Sequence, residues 1–249
     1  MRLLAAALLA AALPQSDDAV LRREAERLIA AYPDQLVAYR DGMIVWRDGT
    51  RMVFDDGKVK THEEKLRHPD LEDQVSECYP KGPLAAPPGP GFEPGRVRYE
   101  PFFRKMYGGS SAEVRANLVR IRWAPSGEML EVTRVNGVAE KLRAVGDALA
   151  RDKAALPYVT ASLGGTFNWR RIAGEDRLSA HSFGIAMDID TRHSDYWRWQ
   201  NSEKILPWRN RIPFAVVEAF EKAGFIWGGK WQRFDTMHFE YRPEVFCGE

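Results

Sequence analysis

The chain is short of several features that would assign a chemistry at once. It has two cysteines, Cys78 and Cys247, in 249 residues. Neither has metal-ligand spacing, which excludes a thiolate zinc cluster and a disulfide-dense scaffold. Charge of one sign is also missing. With 36 basic and 35 acidic side chains the formal net charge is +1, so there is no electrostatic case for nucleic acid, which needs a concentrated basic face. No apolar run reaches the roughly 20 residues that span a bilayer, and no internal repeat is visible. Histidine is scarce, with five in the chain. Any placement of two of them beside acids at a recognisable spacing therefore carries weight.

Hydrophobic residues make up 45% and aromatics 11% of the chain, the composition of a folded globular protein. The length allows one substantial core, or a catalytic domain with a smaller companion. Met1-Arg2 opens the chain, an apolar Leu/Ala run follows to Leu13, and Pro14 to Asp18 are polar or small. This pattern predicts a secretory signal over residues 1–15 and a mature start near Ser16. The expected location is outside the cytoplasm, periplasmic or secreted, with no stable membrane insertion after removal. Cys78 and Cys247 could pair there, or stay as two separate thiols; spacing leaves both open.

Asp17 or Asp18 is placed to cap a helix carrying Val20, Leu21, Ala25, Leu28 and Ile29 at helical spacing, stopped by Pro33. Asp41-Gly42, Asp48-Gly49 and Asp56-Gly57 then punctuate β-rich runs, which predicts a small meander within residues 16–80. Pro80, Pro83, Pro87, Pro88, Pro90 and Pro94, with interspersed glycines, predict a linker or a surface strap over residues 81–94. From residue 95 to 249 the composition is that of a compact domain. Ser110-x-x-Glu113 is a capping-box pattern. Leu118 to Trp123 alternates as a half-buried strand. Val138, Leu142, Val145 and Leu149 form a core-facing helical stripe, and a second helix runs from near Pro213 to Gly224.

The chemistry concentrates in Ser179-x-His181-x-x-Gly184-x-Ala186-x-Asp188 and in Asp235-x-x-His238. Two imidazoles and one carboxylate make a three-ligand zinc set that leaves a coordination position for water. On one helix His181 and Asp188 would lie about 10.5 Å apart along the axis, too far to share a metal. Gly184 is therefore expected to turn the chain into a strand that carries Asp188 opposite its apolar neighbours. A helical or tight turn would bring Asp235 beside His238, where a carboxylate can act as general base. His62, His68 and His193 read as ordinary surface or core histidines. Trp197, Trp199, Trp208, Trp227 and Trp231 read first as core.

These two elements resemble the VanY-like D-alanyl-D-alanine carboxypeptidase and L-alanyl-D-glutamate peptidase family, the hedgehog-fold zinc peptidases of bacterial cell walls. The likeness covers Gly164 to Glu240, including the flanking Gly164 to Arg170 and Trp227 to Trp231, and extends more loosely back to about residue 95. It implies an α+β fold: a small antiparallel sheet flanked by helices, with the N-terminal helix and meander added. It implies one zinc held by His181, Asp188 and His238, with Asp235 as base, acting on peptidoglycan stem or cross-link peptides. It makes Arg170 or Arg171, with Arg171 slightly favoured, a candidate for polarising the scissile carbonyl or holding a substrate carboxylate. Ser179 becomes a candidate for bonding substrate, besides capping a turn. One branch of the family has Glu where this chain has Asp235, a form similar to the L-alanyl-D-glutamate peptidases. Both the D-Ala-D-Ala and the L-Ala-D-Glu bond therefore stay open. The competing class is a catalytically idle, zinc-stabilised wall-binding module, against which Asp235 beside His238 argues.

Overall fold

The computed structural model describes residues 15–199 and 207–247. All but the last residue of the expected signal segment lies outside them. Among the described residues no helix is long and apolar enough to cross a membrane.

Helix α1 (Gln15–Ala31) buries Ala25 and Leu28. It is already helical at Gln15, so Asp17 and Asp18 lie inside the helix and do not cap its start. Strands β1 (Leu36–Arg40), β2 (Met43–Trp46) and β3 (Arg51–Val53) form an antiparallel meander. Asp41 and Gly42 both take positive φ, 50° and 72°, as a two-residue hairpin turn requires. Asp56-Gly57 makes no hairpin: it leads instead towards α2 (His62–Arg67) and α3 (Leu71–Ser76). Here Lys60 Nζ, flanked by Asp56, Asp70 and Asp73 at 3.2, 3.0 and 2.5 Å, gathers the acids that pairwise repulsion would separate.

Residues 81–94 form neither helix nor strand and run as a strap. Its start is pinned by Lys230, whose buried ammonium donates to the carbonyls of Pro80 and Gly82 and to Glu221, each at 2.6 Å. Its end is pinned by Glu93, which is fully buried and accepts from Arg96 and Arg233. Cys78 and Cys247 are joined as a disulfide, resolving the alternative left by their spacing.

Helices α4 (Glu100–Tyr107) and α5 (Ser111–Arg115) follow. Ser110 caps α5 through the Glu113 N–H, yet the Glu113 carboxylate takes the N–H of Gly109 and not that of Ser110. The expected reciprocal box is therefore only half formed. The hairpin β4 (Leu118–Arg122) and β5 (Met129–Thr133) precedes α6 (Val138–Leu149), whose Val138, Leu142, Val145 and Leu149 are all buried as the stripe predicts. The third sheet is four-stranded and antiparallel: β6 (Leu163–Gly165), β7 (Ala186–Asp190), β9 (His238–Tyr241) and β8 (Phe225–Trp227), in that spatial order. Helix α7 (Phe214–Lys222) packs beside β8, with Phe220 stacked on Phe239 at 3.9 Å between centroids.

The architecture is α+β, with small antiparallel sheets and short helices. The main apolar cluster runs from Ala25 and Leu28 through Phe102, Phe103 and Trp123 to Phe220 and Phe239, and a smaller one gathers Tyr79, Ile226, Trp231, Val245 and Phe246. Polar clasps reinforce it. The buried Glu244 accepts from Tyr32 on one oxygen (2.6 Å) and from Gln74 (3.1 Å) and Arg242 (2.6 Å) on the other, tying the C-terminal segment to the residue that follows α1 and to α3.

Candidate metal and catalytic site

Gly184 takes φ 67° and ends a short 3-10 turn spanning Ala180–Phe183. The chain leaves it directly into β7. A side chain at Gly184 would strike Leu118 and the backbone of Thr133, whose N–H bonds the Gly184 carbonyl. The glycine thus meets both a left-handed backbone and a close approach of the β4–β5 hairpin. Ser179 caps the turn, accepting from the His181 N–H at 3.4 Å, and lines the cavity at the same time. On β7, Met187 and Ile189 are fully buried on one face while Asp188 points from the other.

Asp188 stands opposite His238 in the β7–β9 register. Its Oδ1 is 3.0 Å from His238 Nδ1 and 3.1 Å from His181 Nε2. The three groups form a set that could hold a metal. Each imidazole is fixed from behind. His181 Nδ1 lies 2.6 Å from the Thr166 carbonyl; a carbonyl only accepts, so Nδ1 carries the proton and Nε2 keeps its lone pair. His238 Nε2 lies 3.0 Å from Glu240 Oε2, which turns Nδ1 inward. Such outward hydrogen bonds are how metal-binding histidines are oriented. Gly164 completes the fit: a Cβ there would lie 2.6 Å from Asp188 Cβ.

The fit to a cation is tested by His181 Nε2. It is buried and, despite lying near Asp188, has no aligned hydrogen-bond partner. Two imidazole nitrogens and a carboxylate converge there, yet among the described residues Asp188 is hydrogen-bonded only to His238 Nδ1, at 3.0 Å, which leaves the His181 nitrogen unanswered. A borderline-soft divalent ion with nitrogen and oxygen ligands suits that donor set.

Asp235 reaches the site through a tight turn, with the His238 N–H donating to its carbonyl at 3.2 Å. Its Oδ1 is shielded from solvent and unpartnered. Burial, then the Asp188 charge, push its carboxyl up to about 7, against the pull of His238 and His181. Burial would lower His238, but its bonds to Asp188 and Glu240 outweigh that and raise it to about 10. Asp188 moves the other way: burial opposes ionisation, yet the two imidazoles hold it well below the usual carboxylate range. A cation at the three ligands would favour the ionised form of every nearby acid, Asp235 included.

The cavity around these groups measures about 110 Å³ and is lined by Arg170, Arg177, Tyr196, Trp197 and Trp231, among others. Arg170 faces it. Arg171 does not line it; its guanidinium pairs with Asp176. The tryptophans divide: Trp227 and Trp231 are buried, Trp197 is half-buried at the cavity, and Trp199 is exposed. His62 pairs with Glu93 and His193 with Asp190, both away from the metal set.

Three contributors went unrecognised in the sequence. Glu240 had a local signal, since residues two apart share a face on a strand. Thr166 acts through its carbonyl, which side-chain patterns do not report. Arg98, whose Nε and Nη2 fork onto Glu240 at 3.1 and 2.6 Å, is 142 positions away from it and had none.

Residues 173–241 match the family model described as D-alanyl-D-alanine carboxypeptidase. The match supports a peptidase. It takes in His181, Asp188, Asp235 and His238 and leaves out Arg98, Thr166 and Arg170. No curated protein and no solved structure matches the chain.

Proposed function

We propose that the protein is a zinc-dependent peptidase of the cell-wall type, hydrolysing a peptide bond in peptidoglycan stem or cross-link peptides. The observation that carries this reading is the meeting, in one cavity, of His181, Asp188 and His238 with the unpartnered carboxylate of Asp235. Zinc bound by the three would polarise the scissile carbonyl and acidify a water. Asp235 Oδ1 accepts the proton of the attacking water and delivers it to the leaving amine. Glu240 and the Thr166 carbonyl keep both imidazoles in the tautomer that faces the ligand point. Arg170, which lines the cavity, is the arginine assigned to substrate in this reading, and Ser179 holds the turn that presents His181. Arg171, the candidate favoured from sequence, would have to leave Asp176 to take part.

The family description favours the D-Ala-D-Ala bond over the L-Ala-D-Glu bond. A hedgehog-type fold for residues 95–249, with residues 16–80 as an added region and 81–94 as the connecting strap, belongs to the same reading. Export is supported by the apolar start of the sequence and by the disulfide, which persists in oxidising compartments. Digestion of purified muropeptides, with products weighed by mass spectrometry and zinc measured in the same sample, tests all of this. Loss of a terminal D-alanine in a chelator-sensitive manner is expected. Stoichiometric zinc with no cleavage of any muropeptide would instead establish the idle wall-binding module.

A further inference from the structure

Among the described residues, six buried side-chain atoms lack a hydrogen-bond partner, and three of them belong to residues that line the same cavity: His181 Nε2, Asp235 Oδ1 and Arg98 Nη1. The first two have roles above. The third is a charged donor left unused, and an unsatisfied buried donor is costly enough to be rare in folded proteins.

Arg98 lies between the strap and α4, outside the matched segment. It is 7% exposed. Nε and Nη2 are committed to Glu240, which fixes the plane of the guanidinium and aims Nη1 without further freedom. The charge around it is not fully answered. Glu240 serves Arg98, Arg242 and His238 at once. Glu93 already holds both Arg96 and Arg233, and Glu175 holds Arg177. Arg170 adds a further cation to the lining, with no carboxylate partner among the described residues. An anionic group brought in by the substrate would complete the set, and the small cavity suits the end of a chain better than its middle.

We propose that Arg98 is a substrate-binding residue whose free Nη1 takes the terminal carboxylate of the peptide, making the cavity selective for a free C-terminus. This rests on the peptidase reading for its choice of peptide. It is separable from that reading because binding and turnover are measured apart. The probes are an acetylated Lys-D-Ala-D-Ala tripeptide and its C-terminal amide, titrated calorimetrically into the full zinc-loaded chain.

The parent protein should bind the acid about 10–100-fold more tightly than the amide, the worth of one hydrogen bond to a charged group. Arg98→Lys keeps a cation opposite Glu240 and withdraws the second arm. It should erase most of that preference while zinc content and the thermal midpoint stay near parental. Equal binding of acid and amide by the parent overturns the proposal without any variant, even if the peptide is cleaved. A preference that survives in a folded Arg98→Lys overturns it as well. If the variant loses zinc and its preference together, Arg98 acts only through Glu240 and His238, and the proposal again fails. If the parent prefers the acid, Arg98→Lys removes the preference and neither protein cleaves it, Arg98 stands and the peptidase reading falls.

Discussion

Asp188 and His238 face one another across the β7–β9 ladder, with Asp188 Oδ1 3.0 Å from His238 Nδ1. Because strand side chains alternate, a slip of one residue would send either group to the opposite face. The metal set thus depends on strand register as much as on residue type. Glu240, two positions along β9, stays on the same face and holds the far side of His238. Glu240→Gln should therefore weaken zinc binding by about 10–100-fold, read by competition with a chelating dye. Circular dichroism should show a folded protein, since Arg242 keeps Glu244 as a partner.

Asp235→Asn keeps the shape and removes the proton acceptor. Zinc binding should be retained and muropeptide turnover should fall by about two to four orders of magnitude. Unchanged turnover would remove Asp235 from the mechanism.

Gly164→Ala and Gly165→Ala form a matched pair. At Gly164 the new methyl would press on Asp188 Cβ, whereas Gly165 has open space but a φ of 91°. Both should destabilise, by about 1–3 kcal/mol, in urea denaturation. Only Gly164→Ala should also lower zinc affinity, because only it displaces a ligand.

Glu72 gives a pH test remote from the site. Burial raises its carboxyl from 4.5 to about 7, with nearby Lys65 opposing. A raised carboxyl favours the protonated native state, so stability is fully present below about pH 4.5 and is lost as pH rises through 7. Glu72→Gln removes that loss. At pH 8 the variant should be more stable than the parent by about 1–2 kcal/mol, a value trimmed for the partial exposure of the side chain. The advantage should vanish near pH 4; an equal gain at both values would show that ionisation is not the cause.

The disulfide Cys78–Cys247 closes a loop across a sequence separation of 169. Replacing both cysteines by alanine should cost about 5 kcal/mol on the loop-entropy model, measured by denaturation in the absence of reductant. The parent assayed in reductant should approach the double variant.

What the sequence determined by itself is local. Gly184 announced the turn because it joins a histidine to an alternating strand, and the alternation placed Asp188 opposite its apolar neighbours. The helical stripe of α6 and the Asp41-Gly42 hairpin were legible for the same reason: backbone preference and side-chain period act over a few residues. Local rules also misled at their edges. Asp17 and Asp18 lie inside α1, Glu113 bonds Gly109, and Asp56-Gly57 carries no hairpin, because neighbouring groups competed for the same hydrogen bonds or extended the element. What only the tertiary structure decided is which distant partners meet. Arg98 with Glu240, Glu244 with Tyr32 and Gln74, Cys78 with Cys247, and Arg171 turned to Asp176 all depend on the path of the chain. Coulomb attraction and hydrogen bonding act between neighbours in space, and they leave no periodic trace in the order of residues.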